Sequence, residues 1–119
     1  MEIRLKRAYD APSPEDGQRI LVDRLWPRGV SKEAARIDVW MKEVAPSNEL
    51  RKWIHQDPSR WEEFVARYRA ELAESSEAAV CIQQLREAAS AHAVTLVFSA
   101  KTEDRNNATV LRDVLRQDC

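Results

Sequence analysis

The segment from residue 19 to residue 32 constrains the fold more than any other part of the chain. It begins with three consecutive aliphatic residues, Ile20, Leu21 and Val22. In a strand, neighbouring side chains point to opposite faces of the sheet, so this run needs apolar cover on both faces. An interior strand of a layered α/β domain has that cover. The sequence therefore predicts a buried central strand with other elements packed above and below it.

Charged residues follow this strand at once. Residues 23–32 read Asp-Arg-Leu-Trp-Pro-Arg-Gly-Val-Ser-Lys and carry more cations than acids. In open α/β sheets, ligands gather outside the carboxyl ends of the strands. Polar side chains at the end of a buried strand therefore predict a binding site at that edge.

A second central strand is predicted at residues 93–99, which are rich in β-branched and aromatic residues. The polar loop 101–107 follows it. If the two buried strands lie side by side and parallel, both polar loops open on the same edge of the sheet. About seventy residues with helical patterns separate the two strands, which is long enough for a parallel crossover.

Residues 2–8 alternate apolar and basic side chains and predict an outer strand. Residues 10–18 contain two prolines and a glycine and predict a surface loop. The first two strands are therefore either parallel through an irregular link or antiparallel through a wide hairpin. Residues 37–45 fit both strand and helix spacing, and we interpret them as irregular structure or a short strand.

Helices are predicted where apolar residues recur at helical spacing behind a capping residue. Ser31 caps a short helical turn, and Ser47 caps a helix that extends to Ile54. Asp57 caps a further helix with Pro58 in its first position. The apolar residues of that helix stand at offsets 0, 3, 4, 7 and 11: Trp61, Phe64, Val65, Tyr68 and Leu72.

Two further helices complete the pattern. The first covers about residues 77–89, with inward positions Val80, Cys81, Leu85, Ala88 and Ala89. The second is capped by Asp104 or Asn106 and packs on the sheet through Val110, Leu111, Val114 and Leu115. The whole chain, residues 1–119, is thus predicted to be a single α/β domain with a small, mainly parallel sheet flanked by helices, three-layered and Rossmann-like.

The sequence argues against several other classes. Cys81 and Cys119 match no disulfide or metal spacing, and His55 and His92 lack the companions of a metal site. The chain has two glycines and no glycine-rich loop to hold a cofactor, so no cofactor is predicted. Its net charge of −1 argues against a broad nucleic-acid surface, and it lacks a long apolar run or a signal-peptide pattern. We expect a cytoplasmic protein that does not enter membranes.

Several long motifs resemble the domain of unknown function 488 family, in its YeaO-like branch. They are V-D-R-L-W-P-R-G with a lysine three residues on, D-x-W-x-K-E-x-A-P-S-x-E-L-R-K, W-E-E-F-x-x-R-Y-x-x-E-L, and V-T-L-V-F-S-A-K followed by N-N-A-x-V-L. The resemblance spans nearly the whole chain and implies a small bacterial cytoplasmic α/β protein. Longer relatives have similar strand ends, which supports placing Asp23, Arg24 and Lys101 at strand ends. Relatives often carry a histidine where this chain has Arg105.

The leading hypothesis is a pocket at the strand ends for a small anionic ligand, such as a nucleotide or a phosphorylated metabolite. Arginine offers a planar fork that matches phosphate or carboxylate. Asp23 is a candidate catalytic general base. The predicted ligand-binding residues are Arg24, Trp26, Arg28, Lys32, Lys101, Asn106 and Asn107.

Two alternatives remain open. The chain is either an enzyme or ligand-binding protein, or a non-catalytic interaction module that grips a protein or nucleic acid through its aromatic and basic loop. In either case the chain is expected to be a monomer or a homodimer. The same charged loop also fits an ion-pair network that only stabilises the Trp-Pro-Arg-Gly turn.

Overall fold

The computed structural model describes residues 2–117 and contains one sheet of four parallel strands. The strands are β1 (Ile3–Arg7), β2 (Gln18–Leu21), β3 (Val39–Trp40) and β4 (Val94–Phe98). Their order across the sheet is β1, β4, β2, β3. The predicted outer position of the first strand is confirmed. The first two strands are parallel to each other because both pair with β4 in the parallel sense.

The two strands predicted to be central are neighbours. Every residue of β4 is buried, and β2 pairs with it in a register that places Ile20 opposite Leu96. One backbone hydrogen bond extends the pairing beyond β2, from Val22 N–H to the carbonyl of Val97 at 3.0 Å. The polar segments that follow β2 and β4 therefore leave the sheet at the same edge.

Residues 2–117 contain five α-helices that pack around the sheet, most of them on one face. They are α1 (Lys32–Ala35), α2 (Asn48–Gln56), α3 (Trp61–Glu74), α4 (Ser76–Ala91) and α5 (Asn107–Gln117). The side chains of Ser31, Ser47 and Ser75 each accept a hydrogen bond from a backbone N–H in the first turn, which explains where α1, α2 and α4 begin. Short 3₁₀ turns occupy Pro14–Asp16, Lys42–Val44 and Pro58–Arg60.

Apolar side chains cover both faces of the sheet. On one face, Ile20, Val22 and Leu96 belong to the main core, to which α2, α3, α4 and α5 all contribute. On the other face, Leu21 and Val97 form a smaller cluster with Ala8, and Trp26, Ile37 and Trp40 pack against it. The predicted three-layer α/β class is confirmed. The layer that covers this second face of the sheet is mostly the loop that follows β2.

Some details of the predicted helices differ. Val80 was expected to point inward, but it is 59% exposed, and the buried stripe of α4 consists of Ala78, Ile82, Leu85 and Ala89. The prediction was wrong only at Val80, which stands five residues before Leu85 and therefore lies off the helical face that the buried residues share. It was right at Leu85 and Ala89, which are buried. The helix expected to start at Pro58 begins with a 3₁₀ turn before α3, and Cys119 lies outside the described residues.

Candidate functional site

Asp23 joins the two polar segments at the carboxyl edge of the sheet. Its Oδ2 accepts hydrogen bonds from the backbone N–H of Ser99 at 2.9 Å and from the Ser99 hydroxyl at 2.6 Å. Its Oδ1 accepts one from the Asn107 side-chain amide at 2.9 Å. The loop after β2 and the loop after β4 thus share one rim, as the parallel arrangement of their strands requires.

A cavity of about 900 Å³ opens between these loops and the helices α2 and α3. Leu25, Pro27, Pro46, Ile54 and Pro58 give it apolar walls. Four aromatic residues, Tyr9, Trp26, Trp61 and Phe64, also line it. Concave sites with mostly apolar walls and a few convergent polar groups are typical of small-molecule binding.

The charges around the cavity are strongly unequal. Five cationic side chains line it, against the single carboxylate of Asp23: Arg24, Arg28, Arg51, Lys101 and Arg105. Among residues 2–117, the ion pairs all lie elsewhere, and they use Arg4, Lys6, Arg19, Arg60 and Arg67. None of the five cavity cations therefore belongs to an ion pair among these residues.

Two of the arginines have defined positions. Arg24 donates from Nε to the carbonyl of Pro46 at 3.0 Å and from Nη2 to the carbonyl of Ala45 at 3.2 Å. Arg51, on α2, has one long contact from Nη2 to Asn48 at 3.4 Å. Its Nε is buried and has no hydrogen-bond partner within the described chain. A buried donor without a partner is unfavourable, and Arg51 lines the cavity.

The aromatic loop after β2 is held in place by its own polar atoms. The Trp26 indole N–H donates to the carbonyl of Val30 at 2.7 Å, and its ring meets Trp40 edge-on at 5.5 Å. The Tyr9 hydroxyl donates to the carbonyl of Arg28 at 3.1 Å. These contacts fix the backbone of the turn and leave the Arg28 side chain exposed at the cavity.

Most of the predicted site residues come together here. Six of the seven predicted ligand-binding residues line the cavity together with Asp23, and the exception is Lys32, which is exposed at the start of α1. Asn106 is buried, and its amide N–H groups donate to the carbonyls of Thr102 and Glu103 at 2.8 and 3.2 Å. Its Oδ1 accepts from the N–H of Thr109, so it caps α5.

Among the cavity residues that were not predicted as ligand contacts, four could contact a ligand through a charged or an aromatic group: Arg51, His55, Trp61 and Arg105. Arg51 and His55 are four residues apart on α2, which places them on one face of the helix beside Ile54. That spacing was available in the sequence. Trp61 was predicted to lie in the core, and it is half-buried with part of its surface at the cavity.

The described residues offer little for metal chemistry. Between residues 2 and 117, no three His, Cys, Asp or Glu side chains lie close enough together to hold a metal ion. No helix in the same range combines the length and apolarity needed to cross a bilayer.

Two kinds of relative are similar to this chain. YeaO from Escherichia coli K12 is 44% identical over 116 residues, which cover 98% of each protein. The proteins Rv3073c from Mycobacterium tuberculosis and Mb3100c from Mycobacterium bovis are each 42% identical over 113 residues, covering 95% of this chain and 92% of theirs. All three carry the description "uncharacterized protein". No solved structure matched the chain.

Comparison with family models gives a match over almost the whole chain. A family model described as the inactive DUF488-N3 subclade matches residues 2–119. It agrees with the resemblance seen in the sequence motifs and with the similarity to YeaO. The chain therefore belongs to the domain of unknown function 488 family, in its inactive N3 subclade.

Proposed function

We propose that the cavity binds a small anionic ligand, a nucleotide or a phosphorylated metabolite, without catalysing a reaction on it. The observation that carries this proposal is the charge imbalance around the cavity, five cations against one carboxylate. Like charges gathered at one site repel one another, and the repulsion is relieved when an anion binds between them. Phosphate suits this site because arginine donates to it in a bidentate fashion.

Arg28 and Lys101 come from the two loops at the rim, and Arg51 comes from α2 on another side of the cavity. A phosphate that reaches all three would accept hydrogen bonds from cations on two sides of the cavity. Arg24 is partly used by the carbonyls of Ala45 and Pro46. It therefore adds charge and positions the loop.

Asp23 has a structural role in this proposal rather than the role of a general base. Both of its oxygens already accept hydrogen bonds from Ser99 or Asn107, and these bonds tie the two loops together. The description of the family as an inactive subclade also supports binding without catalysis. A bounded cavity on a chain of net charge −1 supports a small ligand over an extended nucleic acid.

Arg28→Ala is expected to weaken the binding of pyrophosphate by about tenfold or more, because a hydrogen bond to a charged group contributes about 1.5–3 kcal/mol. Isothermal titration calorimetry at low salt measures this difference. Because the Arg28 side chain is exposed, the free energy of unfolding of Arg28→Ala should differ from that of the wild type by less than about 0.5 kcal/mol.

Lys52→Ala is the matched control. Lys52 is an exposed cation next to Arg51 on α2, and it does not line the cavity. The Lys52→Ala variant should bind pyrophosphate as tightly as the wild type does. Equal affinity in wild type and Arg28→Ala would contradict the proposal, as would a wild-type protein that binds neither pyrophosphate nor any phosphometabolite in a panel.

A further inference from the structure

We infer that the ligand carries a flat aromatic ring as well as a phosphate, which makes it a nucleotide rather than a phosphorylated sugar. This inference rests on the proposed function, since it assumes that an anion binds at the cationic rim. It concerns the part of the cavity surface that the cationic side chains do not form. That part is formed by aromatic and apolar side chains of α2, α3 and the loop after β2.

The volume of the cavity already exceeds what a phosphate group needs. About 900 Å³ lies near the upper end of the range of about 300–1,000 Å³ found for sites that bind drug-sized molecules. A bare phosphate or a small sugar phosphate would leave the exposed surface of Ile54 and Trp61 in contact with water. A ligand that covers those walls gains the free energy of removing apolar surface from water.

The aromatic wall is rigid. Trp61 stacks on Phe64 with ring centroids 5.2 Å apart and an angle of 25° between the ring planes. Phe64 is only 3% exposed, and its ring centroid lies 5.7 Å from that of the fully buried Tyr68. The Trp61 ring is therefore supported from behind by the core while part of it lines the cavity. A fixed, partly exposed indole is a suitable platform for stacking a base.

The alternative explanation for Trp61 is that it only packs against the core. Trp53 provides a contrast on the neighbouring helix, because two guanidinium groups, of Arg60 and Arg67, cover its ring at 4.9 and 4.5 Å. No cation–π contact of this kind covers Trp61 within the described residues. Its cavity surface is thus left for a ligand, whereas the ring of Trp53 is already covered.

The test compares four probes by calorimetry: inorganic phosphate, ribose 5-phosphate, and purine and pyrimidine nucleoside 5′-monophosphates. At least one nucleoside monophosphate is expected to bind about tenfold more tightly than ribose 5-phosphate, since one base–aromatic stack changes affinity by roughly 5- to 100-fold. Trp61→Leu should remove that advantage and leave the affinity for ribose 5-phosphate within about twofold. Trp61→Phe keeps an aromatic ring and should retain most of the tighter binding of the nucleoside monophosphate.

The outcomes separate this inference from the proposed function. If ribose 5-phosphate binds as tightly as every nucleoside monophosphate, or if Trp61→Leu leaves the difference between them unchanged, the nucleotide assignment is overturned while anion binding stands. If none of the four probes binds, both proposals fail. Retained affinity for ribose 5-phosphate in Trp61→Leu also shows that the variant is folded, so loss of nucleotide binding is not caused by unfolding.

Discussion

Gly17→Ala is expected to destabilise the protein by at least about 3 kcal/mol, from backbone strain of about 1–3 kcal/mol and overpacking of a similar size. Gly17 has a φ of +63° and a ψ of −135°, a conformation that residues with a Cβ rarely adopt. A Cβ at this position would lie 2.2 Å from the carbonyl oxygen of Ala93. That carbonyl accepts the hydrogen bond from Gln18 N–H that starts the pairing of β2 with β4, so the backbone cannot yield without opening the sheet.

Gly29→Ala is the matched control for this prediction. Gly29 also has a positive φ, +80°, but a Cβ added there would meet no atom within 4 Å. We expect Gly29→Ala to lower the free energy of unfolding by only about 1 kcal/mol, the strain of a left-handed conformation. Urea unfolding followed by tryptophan fluorescence measures both values. Equal losses in the two variants would contradict the close approach of β2 to Ala93.

Asp16→Asn is expected to lower the free energy of unfolding by about 3–5 kcal/mol, the usual result of removing one partner from a buried ion pair. Asp16 and Arg19 are each 3% exposed, and they lie at the amino end of the sheet, opposite the cavity. Arg19 donates from Nη1 to Asp16 at 2.7 Å and from Nε to the carbonyl of Ala35 at 3.0 Å. Without the carboxylate, the guanidinium is left as a buried charge with no counter-ion.

The same group gives the stability a defined pH dependence. Burial alone would raise the pKa of Asp16, but hydrogen bonds from Ser13, Lys6 and Arg19 outweigh it and lower the pKa to about 2. Because the folded pKa lies below the unfolded value of about 4, the carboxylate stabilises the fold above pH 4 and loses this effect as the pH falls towards 2. The loss amounts to about 2 kcal/mol.

Unfolding measured in urea at pH 7 and pH 3 checks both effects. The wild type should lose more stability between these two pH values than Asp16→Asn does. Glu63→Gln is the control, since Glu63 forms an exposed ion pair with Arg67 on α3 that contributes about 0.5 kcal/mol or less. A variant Asp16→Asn that unfolds as the wild type does at both pH values would show that the buried pair does not stabilise the fold.

Much of the fold follows from the sequence because long apolar segments leave few alternatives. The run Ile20 to Val22 requires cover on two faces, and the structure provides it through two separate clusters. The predicted capping serines Ser31 and Ser47 mark where α1 and α2 begin. The stripe of α4 was misjudged at Val80 because its apolar side chain was given more weight than its spacing, which is five residues from Leu85 and not three or four.

The candidate site was located from the sequence only in part. Parallel strands bring their carboxyl ends together, which is why Asp23, Arg28 and Lys101 line one cavity. The contribution of Arg51 depends on how α2 packs across that edge, and this packing angle is not encoded in the spacing of α2 itself. The roles of the two adjacent asparagines also depend on the local backbone. The Asn106 side chain caps α5, whereas the Asn107 side chain donates to Asp23.

The central claim is that an anion binds among the cations at the strand ends, and anomalous diffraction from crystals soaked in selenate tests it most directly. Selenate has the size and geometry of phosphate, and its selenium gives an anomalous signal that locates it. The account predicts a selenate ion within hydrogen-bonding reach of the guanidinium groups of Arg28 and Arg51, and no selenium peak there in crystals of Arg28→Ala. A cavity without selenate in the wild type, at a concentration that places selenate elsewhere on the surface, would contradict it.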